Sequence, residues 1–122
     1  MTMNANELGQ HAERRASHYL KARGYRIVAQ NYRYLKAEVD IIAQKGQTLA
    51  IVEVKARTSV GFGNPESFVT KKKIGLLVSA ADHFITSQGL DLSVRFDIIS
   101  LLYQNNTWVI HHLKNAFYAF DD

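Results

Sequence analysis

Asp40, Glu53 and Lys55 are the residues of this chain best suited to act together chemically. Glu53 and Lys55 lie two apart in the apolar run LAIVEVKA, which reads as a β-strand. Side chains alternate across a strand, so both fall on one face and Val52 and Val54 on the other. Asp40 stands earlier, in the strand-like run EVDIIA, where Glu38 and Asp40 share a face. Lys45-Gly46-Gln47 reads as a tight turn, and a hairpin through it can bring Asp40 beside Glu53. Two carboxylates at that range repel unless one is protonated or a cation lies between them. Mg²⁺, or Mn²⁺ in its place, suits such a pair completed by waters and phosphate oxygens. A metal there would polarise a phosphodiester and acidify an attacking water. Lys55 would stand beside it, holding that water or offsetting charge on the phosphate. The same residues also read as a solvated charged face or a device protecting a sheet edge. The flanks of AIVEVKA weigh against that reading, because an apolar central strand rarely carries two charges without a use.

The elements that must position these groups follow from pattern. A capping-box-like Asn4-x-x-Glu7 opens a first helix. With Leu8 at zero on a helical wheel, Tyr19, Ala12, Ala16 and Leu20 fall between about 20° and about 120°, an apolar stripe, and Gly24 ends the helix. Glu13 falls at about 140°, at the edge of that stripe, and can reach a neighbouring sheet or make an ordinary surface ion pair. Strands are expected over Tyr25–Arg33, Glu38–Ala43 and Thr48–Arg57. The segment Ser59–Ser67, with Gly61, Gly63 and Pro65, reads as a loop. Thr70 caps a second helix that runs to about Gln88 and stops at Gly89. Val94–Tyr103 and Trp108–Leu113 complete the order α-β-β-β-α-β-β, a mixed sheet flanked by helices. The second helix is the crossover that lets the third and fourth strands run parallel.

Charge is unevenly spread. Residues 1–75 carry 13 basic and 6 acidic side chains, and residues 76–122 carry 2 and 5. A basic front half suits a polyanion, and nucleic acid in particular, although a basic soluble protein with no such partner has the same totals. Lys71-Lys72-Lys73 opens the second helix, where three cations oppose the helix dipole unless phosphate offsets them. With Arg33 and Arg57 they form the expected nucleic-acid-binding set, the alternative being a solvated helix start.

In order along nearly the whole chain, LGQHAERRASHYLKARGY, QNYRYLKAEVDIIA, LAIVEVKART, FGNPESFVTKKK, RFDII and HHLKNAF resemble the PD-(D/E)XK nuclease superfamily. Within it they are most similar to the YraN-like family, which is related to archaeal Holliday junction resolvases. The resemblance implies a restriction-endonuclease-like α/β fold. It implies Asp40 and Glu53 as metal carboxylates, Lys55 as catalytic lysine, Glu13 as a helix-borne catalytic acid and Glu38 as a supporting acid. Ala12 and Ala37 stand where the family often has glycine, and every acid keeps its place. The implied activity is Mg²⁺- or Mn²⁺-dependent cleavage of DNA, branched or nicked, and a homodimer is expected because resolvases cut two strands symmetrically. The competing expectations are a non-catalytic nucleic-acid-binding module of this fold and an interaction protein whose acids are surface decoration.

Composition bounds the rest. The 122 residues read as one domain, with a core over about 4–115 and a tail over 116–122. There is no cysteine, which excludes disulfides, thiolate metal sites and cysteine nucleophiles. No apolar run is long enough for a membrane span, and the first residues lack the apolar core of a secretory signal. A cytoplasmic location is the expectation. Gly61-Phe62-Gly63 lacks the spacing of a phosphate-cradling loop. His111-His112 reads as structural or surface, Arg95 and Asp97 as a supporting ion pair, and the Phe117-to-Phe120 aromatics as packing back on the domain.

Overall fold

The computed structural model describes residues 3–58 and 69–117. The loop expected over Ser59–Ser67, including its glycines and Pro65, and the residues after Phe117 lie outside them. The helix α1 spans Ala5–Ala22 and opens with a reciprocal cap: Asn4 accepts from the Glu7 amide, and Glu7 accepts from the Asn4 amide. The strands β1 (Arg26–Tyr34), β2 (Ala37–Lys45) and β3 (Thr48–Arg57) follow, then α2 (Lys71–Gln88), β4 (Ser93–Gln104) and β5 (Thr107–Phe117). Thr70 caps α2 by accepting from the Lys73 amide, and Gly89 closes it at φ 62°, a left-handed conformation that a Cβ would strain.

All five strands form one sheet in the order β1-β2-β3-β4-β5. Only β3 and β4 run parallel, as the α2 crossover requires; the other neighbours are antiparallel. The observed order is therefore the expected α-β-β-β-α-β-β fold. Each helix covers one face of the sheet. On one side Ala12, Ala16 and Leu20 of α1 pack over Ile41, Ala43, Ala50, Val52, Ile99 and Leu101. The alanines bring the helix backbone close to the sheet. On the other, Leu77, Ala80, Ala81 and Phe84 of α2 pack over Val39, Ile42, Leu49, Ile51 and Ile98. Each large aliphatic side chain buried this way contributes about 1.5–3 kcal/mol. No helix among the described residues is long and apolar enough to cross a membrane.

One strand runs further than its pattern suggests. β5 continues past Leu113 to Phe117, whose ring stacks on Phe96 at 5.2 Å. Ala116 and Phe117 thus belong to the sheet rather than to a tail. Behind that extension lies a buried polar cluster. Asp97, fully buried, accepts two hydrogen bonds from Arg95 at 2.8 Å, one from the Asn115 amide at 3.1 Å, and meets His112 Nε2 at 2.8 Å. Arg95 also donates to the Tyr25 hydroxyl at 2.6 Å. The expected Arg95–Asp97 pair is present, and His112 serves it structurally while His111 is exposed.

Candidate metal centre

The site forms where two strands part. β2 and β3 pair from Lys45↔Thr48 up to Ile41↔Val52, and the next rung of that register would set Asp40 against Glu53. Instead the ladder stops there. The Val54 amide takes its bond from a side chain, donating to Asp40 Oδ2 at 2.7 Å. Burial shows the cause. Ala37 and Val39 face α2, whereas Ile41 and Ala43 face α1, so the alternation of β2 slips at Asp40. Asn31, which takes the register position opposite Asp40 on β1, has φ 51°, a conformation asparagine tolerates better than most residues. The slip swings Asp40 into the gap between the strands.

Glu53 continues the α2-facing series of Leu49 and Ile51, and it is buried. Its Oε1 accepts from Lys73 Nζ at 3.0 Å, while its Oε2 is buried with no hydrogen-bond partner. Burial raises the Asp40 carboxyl first, the charge of Glu53 second. The Val54 amide opposes them, and the close approach of the Glu53 carboxyl and the charge of Glu13 add to the rise, which ends at about 8. Glu13 is raised too, by partial burial and then by the charges of Glu38 and Glu53. The acids therefore sense one another from three elements.

Two clefts meet at Asp40 and Glu53. On the α1 side, a cleft of about 260 Å³ is lined by Gln10, Glu13, Asp40, Glu53 and Val54 among others. On the α2 side, one of about 300 Å³ is lined by Lys36, Glu38, Asp40, Glu53, Lys72 and Lys73 among others. Glu13, Asp40 and Glu53 are thus brought together as expected, and Lys55 follows on the Glu53 face, half-buried. Glu38 stands at the rim, paired with Arg33 at 2.7 Å. That pair is exposed, with the Arg33 side chain 78% accessible, and such pairs contribute little. Arg57 is half-buried at the end of β3, and Lys71 is exposed at the start of α2. Lys72 reaches the cleft. Lys73 does something the charge run did not foretell: it holds an acid of the site.

Among the described residues, no three histidine, aspartate or glutamate side chains converge on one metal position. The chain offers a pair of carboxylates. A close acid pair with a buried, unpartnered oxygen fits a hard divalent cation that keeps waters for its remaining positions. Hard oxygen donors with no histidine or cysteine among the described residues lining the two clefts favour Mg²⁺ or Mn²⁺ over softer ions.

Fold and acid pair together define an α/β protein of the PD-(D/E)XK type. The model of a protein family described as uncharacterised, UPF0102, matches residues 12–101. A UPF0102 protein of Christiangramia forsetii is 47% identical over 115 residues, covering 94% of this chain and 97% of its own. One from Flavobacterium psychrophilum is 45% identical with the same coverage. Another from Chlorobium phaeobacteroides is 37% identical over 126 residues, covering 98% and 99%. The chain belongs to the UPF0102 family, the YraN-like group of that type.

Proposed function

We propose that this protein is a Mg²⁺- or Mn²⁺-dependent endonuclease-like phosphodiester hydrolase that acts on DNA, branched or nicked. The observation that carries the reading is the convergence of Asp40 and Glu53 in the gap between β2 and β3, with Glu53 Oε2 unpartnered. In this reading Asp40 and Glu53 hold the ion. A bound divalent cation supplies Lewis acidity toward the phosphodiester and acidifies water. The chain's own groups do the rest. The Val54 amide fixes the Asp40 carboxyl in the gap. Lys73 orients Glu53. Lys55, on the Glu53 face, offsets negative charge developing at phosphorus. Glu13, its proton held more firmly than usual, stands at the α1-side cleft as a proton carrier. Lys36 and Lys72 on the α2-side cleft hold the phosphates of the bound strand, and Arg33, Arg57 and Lys71 extend that basic surface.

A second reading has one observation in its favour. Lys73 already neutralises one carboxylate of the pair, as it would in a module that grips nucleic acid without cutting it. Junction, nicked, single-stranded and intact duplex DNA incubated with Mg²⁺ and Mn²⁺ separate the two. The hydrolase reading expects cleavage by the wild type and loss of about 100-fold or more in Glu53→Ala and Lys55→Ala. Binding without cleavage in the wild type supports the module. Cleavage surviving in both variants contradicts the assigned site.

A further inference from the structure

The β1–β2 hairpin ends on a residue that two rules of folding disfavour. Leu35 occupies the first position of the two-residue turn between Tyr34 and Ala37, with φ 55°. Glycine, asparagine or aspartate normally fills such a position, because a bulky side chain is strained there. Leu35 is also 86% exposed, the most open large apolar side chain among the described residues. An outlier in both backbone and burial calls for a use.

The strand leading to this tip is held firmly against α2. The Tyr34 ring stacks on His83 of α2 at 4.0 Å and 15°. The Tyr32 hydroxyl meets His83 Nδ1 at 2.6 Å, and its ring meets Phe84 edge-on at 5.1 Å. Ala37 is buried beneath. The tip is therefore a braced projection from the sheet. Lys36, which lines the cleft of Asp40 and Glu53, follows it, and Arg33, paired with Glu38 at 2.7 Å, precedes it. Asp40 lies five positions after Leu35, roughly 15 Å along the chain. That distance is about four to five base steps along a stacked strand.

A bare apolar tip beside a cation fits a partner that is polyanionic outside and apolar where its interior opens. A nucleic acid with exposed base faces is such a partner. Resting on the nucleic-acid reading above, we propose that Leu35 is a wedge that packs against an unstacked base at a branch point or nick, and so sets a preference for interrupted over continuous duplex. Apolar wedges of this kind act by entering between base steps that are already weakened.

The test uses the full chain in EDTA, so that binding is read without cleavage. The probes are a three-way junction, a nicked duplex and an intact duplex, each with 2-aminopurine at the equivalent position. The variant is Leu35→Gly, which removes the side chain and relieves the left-handed backbone, so its thermal stability should equal or exceed the wild type. The wild type should favour the interrupted substrates and raise their 2-aminopurine fluorescence. Leu35→Gly should keep intact-duplex affinity within about twofold, lose about tenfold on the junction and abolish the fluorescence rise. Unchanged preference and fluorescence in Leu35→Gly would overturn the wedge while leaving the nucleic-acid reading standing. A wild-type dimer that becomes monomeric in Leu35→Gly would assign the tip to contact between copies and overturn the wedge as well. No salt-sensitive binding of any DNA by the wild type would overturn both.

Discussion

Replacing Asp40 by asparagine should stabilise the metal-free protein while removing the proposed metal site. The Asp40 carboxyl is raised to about 8 from an unfolded value of 3.8. Between those values the folded chain keeps a proton that the unfolded chain releases. Its contribution to stability is therefore complete below the unfolded value and is lost as pH rises toward the folded one. An asparagine carries no charge to desolvate. Its carbonyl can still accept from the Val54 amide, and its amide can donate to Glu53. At about pH 7.5 the variant should gain on the order of 2 kcal/mol, or roughly 5–10 °C in Tm for a domain of this size. Near pH 4 the gain should vanish. Thermal unfolding in EDTA across that range tests it, and a variant less stable than the wild type at neutral pH would contradict the electrostatics assigned to the site. A binding site kept at the expense of stability is the signature expected of groups selected for chemistry.

The second large effect runs the other way. Asp97→Asn should cost about 3–5 kcal/mol, enough to leave a small domain partly unfolded at 25 °C. Burial alone would raise the Asp97 carboxyl. The bonds from His112 and Arg95, the Arg95 charge and the Asn115 amide outweigh it and hold the group below the usual range. Its stabilisation is present above the unfolded value and is lost as pH falls through the folded one. Removing the charge leaves the half-buried Arg95 and the buried His112 side chain beside an amide that cannot satisfy both. Urea unfolding of wild type and variant measures the loss, and a difference under about 1 kcal/mol would mean that the network is not what ties β5 to the sheet. The two aspartates thus tilt the stability profile in opposite directions, one on each side of its acid maximum.

Much of this was legible in the chain itself. Thr70 and Gly89 marked α2 because a hydroxyl cap and a left-handed glycine have few other uses. The pairing of Asp40 with Glu53 followed from the short turn between their strands. What was not legible depends on tertiary register. The run EVDIIA gives no hint that alternation slips at Asp40, because Val39, Ile41 and Ile42 are all apolar and only the two helix-facing cores distinguish their sides. Lys71, Lys72 and Lys73 are alike in type, and only the roll of α2 on the sheet turns the third toward Glu53. In HHLKNAF, polar residues masked a strand that bends at Asn115, φ 54°, and donates that amide to Asp97.

The proposed hydrolase requires that Asp40 and Glu53 together seat one divalent cation. Calorimetric titration of Mg²⁺ and Mn²⁺ into the wild type, Asp40→Asn and Glu53→Gln addresses it without requiring a substrate. One ion per chain is expected in the wild type. Its apparent heat should vary with the buffer, because Asp40 must release its proton on binding. Neither variant should show that signal. A folded wild type that takes up no ion, or variants that bind as tightly as the wild type, would contradict it.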